Sequence, residues 1–143
     1  GKYYDNPKPY EIPIAKKRAE ILKDTLANGA TVEELRRNDI GRESVLPILK
    51  EACKEQNKAY SVIDGFPIPL QHVRVIKVKA PETEIVLASD GYPRFMPTLR
   101  ESEKELERLL AEDPLCIGDN IATKGLKVGQ KSFDDRSYIR LTS

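Results

Sequence analysis

The sequence predicts a mixed α/β (α+β) fold in which three N-terminal helices precede mainly antiparallel strands and one further helix. Three observations carry this prediction. Apolar residues recur at helical spacing up to about residue 57 and then give way to runs rich in β-branched residues. Two Thr-x-x-Glu sequences, Thr31 to Glu34 and Thr98 to Glu101, mark helix starts. Gly, Pro and Asp separate the β-branched runs, as strand-breaking residues should.

Each element follows in order. Residues 1–13 hold three tyrosines and three prolines without a period, which reads as an extended arm. From Ile14 onward, Ala15, Ala19, Leu22 and Leu26 share one face and Asn28-Gly29 supplies a stop, so the first helix is expected over 14–28. The Thr31/Glu34 capping box starts a short helix at Val32 that ends near Asn38. A third helix is expected from Arg42 or Glu43, with Pro47 in its early turns and Val45, Leu49, Ala52 and Cys53 facing inward. Residues 60–63, 73–78 and 84–89 read as three strands. The second Thr-x-x-Glu box opens a helix whose apolar face carries Leu99, Leu106, Leu109 and Leu110 and which Asp113-Pro114 ends. A long loop over 115–130 then leads to a closing strand at 137–141. Residues 1–143 thus read as a single domain, with the arm at 1–13, a helical part at 14–57 and a strand-rich part at 60–143.

Composition excludes several classes of function. The 24 basic and 23 acidic side chains nearly cancel, so no net field draws the chain to nucleic acid or to an acidic membrane. The longest apolar run, 85–88, is far below the roughly 20 residues a membrane span needs. The N-terminus lacks the basic-then-apolar order of a signal peptide, and the expected location is the cytoplasm. Cys53 and Cys116 are far apart beside apolar residues and are expected as reduced, buried thiols. Gly1 in place of Met predicts a processed chain or a preceding segment.

Two acidic sequences could carry chemistry. Ile85-Val86-Leu87-Ala88-Ser89-Asp90-Gly91 is an apolar strand that delivers a carboxylate to a sheet end, with a glycine to permit a sharp exit. Phe133-Asp134-Asp135-Arg136 precedes the final strand and could place further carboxylates at an end of the same sheet. Hard cations such as Mg²⁺ or Mn²⁺ take such oxygen ligands from distant positions, and paired sites of that kind activate water for phosphoryl transfer. Each acid taken alone also suits an ordinary turn, with Arg136 neutralising a neighbour.

The strand at 73–78, then Glu82 and Glu84, then the Ser89-Asp90-Gly91 strand end, a helix, and Asp134-Asp135 entering a terminal strand resemble the second half of the metal-dependent, type 2C serine/threonine phosphatases. The likeness covers about 60–141 and is helped by Val62-Ile63-Asp64-Gly65. It implies part of a four-layer α-β-β-α sandwich, with Asp90 and Asp134 as metal ligands, Asp135 in the second motif position, and Ser89 and Gly91 as supporting backbone. It further implies Mg²⁺ or Mn²⁺, at a two-metal site in the complete domain, and a phosphoprotein or small phosphate ester as substrate. The family's other ligands, an early acid and an Asp-Gly-His-Gly-like pair, have no counterpart here. The chain is therefore expected to be the C-terminal part of a larger domain, completed by an N-terminal segment or a second chain. Tyr92 to Pro97 replaces the family's usual short helix entry, so substrate contacts do not carry over.

The alternatives are a catalytically inactive, phosphatase-like regulatory or interaction module and an amino-terminal nucleophile hydrolase fold, the latter disfavoured by Gly1. His72, the only histidine, has no ligand partner at metal spacing and reads as a surface residue. Ser89 and Ser132 lack a triad context. Lys124-Gly125 and Lys131 could meet a phosphate, but they lack phosphate-loop glycine spacing and read as a solvated loop.

Overall fold

The computed structural model describes residues 1–5, 7–78 and 83–142. Among them it is a mixed α+β structure of four α-helices, one 3₁₀ turn and a two-stranded antiparallel sheet. The helices are α1 (Glu11–Ala27), α2 (Val32–Arg37), α3 (Ile40–Cys53) and α4 (Leu99–Glu112); the strands are β1 (Glu84–Ala88) and β2 (Tyr138–Thr142).

The first helix starts three residues before the expected Ile14. Pro13 is its third residue, a position whose N–H would have no intrahelical acceptor, so the proline costs nothing there. The Thr31/Glu34 capping box forms in full: the Thr31 hydroxyl accepts the Glu34 N–H at 3.2 Å and the Glu34 carboxylate accepts the Thr31 N–H at 2.7 Å. Asp39 starts α3 earlier than expected, because its carboxylate accepts the Arg42 N–H at 2.8 Å. Pro47 is tolerated inside α3 on its exposed side. Gly41 lets α3 approach α1, since a Cβ there would lie 2.9 Å from the Arg18 carbonyl and from Leu22 Cγ.

Cys53 is exposed, contrary to expectation, whereas Cys116 is buried. At about 100° per residue Cys53 sits about 80° round the helix from Val45, away from the stripe that Leu49 and Ala52 continue. Burial pushes the Cys116 thiol up to about 12, which leaves it inert.

The strands expected at 60–63 and 73–78 do not form. Tyr60 makes only an isolated bridge to Gln56, its ring packing edge-on against Tyr10 and its hydroxyl donating to the Ala52 carbonyl at 3.1 Å. Ile63, Val73, Val75, Ile76 and Val78 stay exposed. β-branched residues express a strand only where a neighbour completes the ladder, and no described segment forms a ladder with these two. Glu82 lies outside the described residues.

The order strand, helix, strand at the C-terminal end is as expected. β1 and β2 pair with Ile85 opposite Leu141 and Leu87 opposite Ile139. Those four residues share one face, on which Leu87, Ile139 and Leu141 are each about half exposed, at 56%, 54% and 51%. On the opposite face Ala88 and Tyr138 pack against a core of Tyr92, Leu106, Leu109, Cys116, Leu126 and Phe133. A second core of Leu22, Leu35 and Leu115 lies beneath the N-terminal helices.

Candidate carboxylate site at the end of the ribbon

The register brings the two acidic sequences together. Beyond the Ala88–Tyr138 pair, the Ser89 N–H donates to the Ser137 carbonyl at 3.0 Å and the Ser137 N–H donates to Ser89 Oγ at 2.9 Å. This carries the pairing onward and sets Gly91 against Asp135. A Cβ on Gly91 would lie 2.1 Å from the Asp135 carbonyl oxygen and 2.7 Å from Arg136 Cβ. The glycine is therefore required by close approach of two backbones, not by a left-handed turn, since its φ is not among the positive ones.

Asp90, in that turn, is exposed, and its carboxylate makes no hydrogen bond or ion pair with the described residues. The cost of burying a charge, which motivated singling it out, does not arise. Asp134 is half exposed and paired with the Lys124 ammonium; its second oxygen accepts the Asp135 N–H at 3.1 Å. Lys124 first, and then that N–H, hold the Asp134 carboxyl below its usual 3.8. Asp135 is exposed, and its contribution to the junction is its backbone.

Arg136 does not neutralise these acids. It grips Glu103 of α4 through two hydrogen bonds of 2.8 Å, with its guanidinium 5.8 Å from the centre of the Tyr92 ring. The Tyr92 hydroxyl donates to the same carboxylate. Arg136, followed by Tyr92, lowers the Glu103 pKa, while burial raises that of Tyr92. Glu103 belongs to neither of the two acidic sequences singled out above. Its spacing from Leu99 and Leu106, four and three residues away, was the available signal.

Asp134, Asp135 and Arg136 line a cleft of about 750 Å³ together with Tyr92, Glu103 and Lys131; Asp90 lies outside its walls. Ser132 Oγ, also at this cleft, is buried without a partner among the described residues. No family model, curated protein or solved structure matches this chain. Among the described residues, no group of three or more His, Cys, Asp or Glu side chains is arranged to hold a metal ion. Mg²⁺ often needs only one or two carboxylates, with water or substrate oxygens completing its shell. The acidic donors are carboxylate oxygens of the kind hard cations take, but Asp134 is occupied by the Lys124 ammonium and Glu103 by Arg136. His72 sits in the 3₁₀ turn with Nδ1 2.8 Å from Ser61 Oγ, away from any such arrangement. No helix among the described residues is long and apolar enough to cross a membrane.

Proposed function

We propose that this chain is the C-terminal part of a metal-dependent, type 2C-like phosphatase domain acting on phosphoserine, phosphothreonine or related phosphate monoesters. The observation that carries the reading is the junction at Gly91, which fixes the Asp90 turn against the Asp134–Asp135 turn at one end of the β-ribbon. Asp90 and Asp134 would hold Mg²⁺ or Mn²⁺ with Asp135 in support, and further ligands would come from another segment or chain. When bound, the metal supplies an activated water and charge stabilisation for phosphoryl transfer. The residues of this chain fix the backbone of the two turns: Ser89 and Gly91 set their spacing, and Arg136 ties the Asp135 side of the junction to α4. The half-covered ribbon supports a four-layer sandwich, because Ala88 and Tyr138 share a core with α4 while Leu87, Ile139 and Leu141 leave an open apolar face for a second sheet. The two free thiols suit a reducing, cytoplasmic setting.

Calorimetric titration of Mn²⁺ into the chain should show saturable binding that is lost in Asp90→Ala and in Asp134→Ala. In a chain carrying the additional ligands, p-nitrophenyl phosphate hydrolysis should require Mn²⁺ and vanish with Asp90→Ala. Metal-independent turnover, or no Mn²⁺ binding at all, would overturn the reading. One observation favours the second reading, a non-catalytic module: Lys124 already neutralises Asp134. That module would bind no Mn²⁺.

A further inference from the structure

The run from Ile63 to Val78 exposes seven large apolar side chains, with Ile63 at 95%, Leu70 at 85% and Val75 at 78%. Exposed apolar residues scattered singly are ordinary, whereas a concentration of them within one stretch marks an interaction surface. Its second half, Val73 to Val78, holds four of the seven together with two cations, Arg74 and Lys77, and no acid. That half is composed like a strand and forms no ladder with any described segment. The N-terminal arm holds it from one side: Arg74 donates to the Asp5 carbonyl at 3.3 Å, and its guanidinium lies 5.9 Å from the centre of the Tyr4 ring. Tyr3 in turn stacks on Phe95, ring centres 5.3 Å apart. The ribbon has the converse need. Among the described residues β1 pairs with β2 alone, which leaves its other edge open, and a lone two-stranded ribbon is marginal in water.

We infer that Val73 to Val78 of one copy of this chain pairs antiparallel with the open edge of β1 in a second copy, and that the exchange is reciprocal, giving a two-fold dimer. The inference does not depend on the metal reading. Charge sets the register. With Lys77 opposite Glu84, Ile76 falls opposite Ile85 and Val75 opposite Val86, so β-branched residues meet across the new ladder. Glu84 is 40% exposed beside Arg140, and a carboxylate has acceptor capacity for a second cation. A one-residue slip sets Lys77 against Ile85 and leaves Glu84 facing Val78. The arm favours a second copy over the chain's own ribbon. A partner's ribbon reaches the segment where it stands, whereas its own ribbon would require Arg74 to leave Tyr4 and Asp5. Area points the same way. A standard interface takes about 800 Å² from each partner. The seven side chains, with the half-exposed Leu87, Ile139 and Leu141 of the ribbon face for the Ile63 to Leu70 half to cover, supply apolar surface of that order.

Sedimentation equilibrium of the full chain should show a monomer–dimer equilibrium. Val75→Asp should weaken association by about tenfold or more, because each dimer would bury two uncompensated carboxylates. Lys77→Glu, which sets like charges opposite each other, should weaken it by less. Val75 is exposed in the single copy, so an unchanged urea midpoint in dilute solution confirms that Val75→Asp leaves the fold intact. Cross-linking then separates pairing between copies from pairing within one. In a Cys53→Ser background, a chain carrying Val75→Cys mixed with a chain carrying Val86→Cys should oxidise in air to a disulfide-linked heterodimer in excess of either homodimer. A chain that stays monomeric at every concentration, a dimer indifferent to Val75→Asp, or a disulfide that forms only within one chain carrying both cysteines would overturn the inference.

Discussion

Two cation–carboxylate pairs, one packed against the loop between α4 and β2 and one within it, differ sharply in burial. Arg18 and Asp39 form the inner pair: the guanidinium is fully buried, Asp39 is 14% exposed, and Arg18 Nε and Nη2 reach the carboxylate at 3.0 Å and 2.7 Å. The remaining guanidinium nitrogen serves the Ala122 carbonyl, and Asp39 also caps α3. Lys124 and Asp134 form the outer pair, with one carboxylate oxygen accepting the ammonium and neither side chain buried. A planar, multi-donor fork is suited to a desolvated joint, and a flexible point charge to a pair that stays in solvent. The inner pair fixes the loop; the outer pair leaves the acid within reach of solvent cations.

The comparison breaks most sharply at Arg18. Arg18→Met should lower stability by about 3–5 kcal/mol, because it leaves Asp39 and the Ala122 carbonyl without their buried partner. Urea denaturation followed by circular dichroism measures this directly. A midpoint within error of the unaltered chain would show that the inner pair is not the joint. Lys124→Met should leave the same midpoint almost unmoved, which is the contrast the two exposures predict.

Gly91→Ala ranks next, with an expected loss of about 1–3 kcal/mol from overpacking. Its Cβ would displace the Asp135 carbonyl, so the substitution should also abolish any Mn²⁺ binding. Gly29→Ala serves as the control: nothing lies within 4 Å of a Cβ there, and its φ of +101° confines the damage to local backbone strain. Full Mn²⁺ affinity in Gly91→Ala would detach the acidic turns from the junction that joins them.

Helices were legible in the sequence because their signals are local. The Thr31/Glu34 box and the Thr98 cap act within one turn, and α4 appears where its leucines repeat. The strands at 84–88 and 138–142 were legible as well, since their partners are each other. The β-branched runs at 60–63 and 73–78 misled, because strand formation depends on a neighbour that no local pattern reveals. The site was legible as two acidic sequences but not as a junction. The pairing is carried on by Ser89 and Ser137, 48 residues apart, and its neighbours Glu103 and Lys124 lie outside both acidic sequences, Lys124 in a segment that reads as a solvated loop. Arg18 carried an unread signal, a charge three residues from Ala15 on the same apolar stripe.

The smallest expected effect distinguishes two partly exposed carboxylates. Glu103 and Asp134 both have lowered pKa values, Glu103 through Arg136 and Tyr92, Asp134 through Lys124 and a backbone N–H. A carboxylate whose folded pKa lies below its unfolded value contributes stability that is complete above the unfolded value and is lost as pH falls through the folded one. For Glu103 the unfolded value is the usual 4.5. With both its side chain and that of Arg136 about 35% exposed, solvent screening keeps the contribution below about 1 kcal/mol. Glu103→Gln should therefore lower the thermal midpoint slightly at pH 6, and the difference from the unaltered chain should close as pH falls below 4.5. Asp134 remains in both proteins, so its own acid-limb loss cancels from that difference. A gap that persists or widens in acid would show that Glu103 acts through packing against Tyr92 rather than through its charge on Arg136.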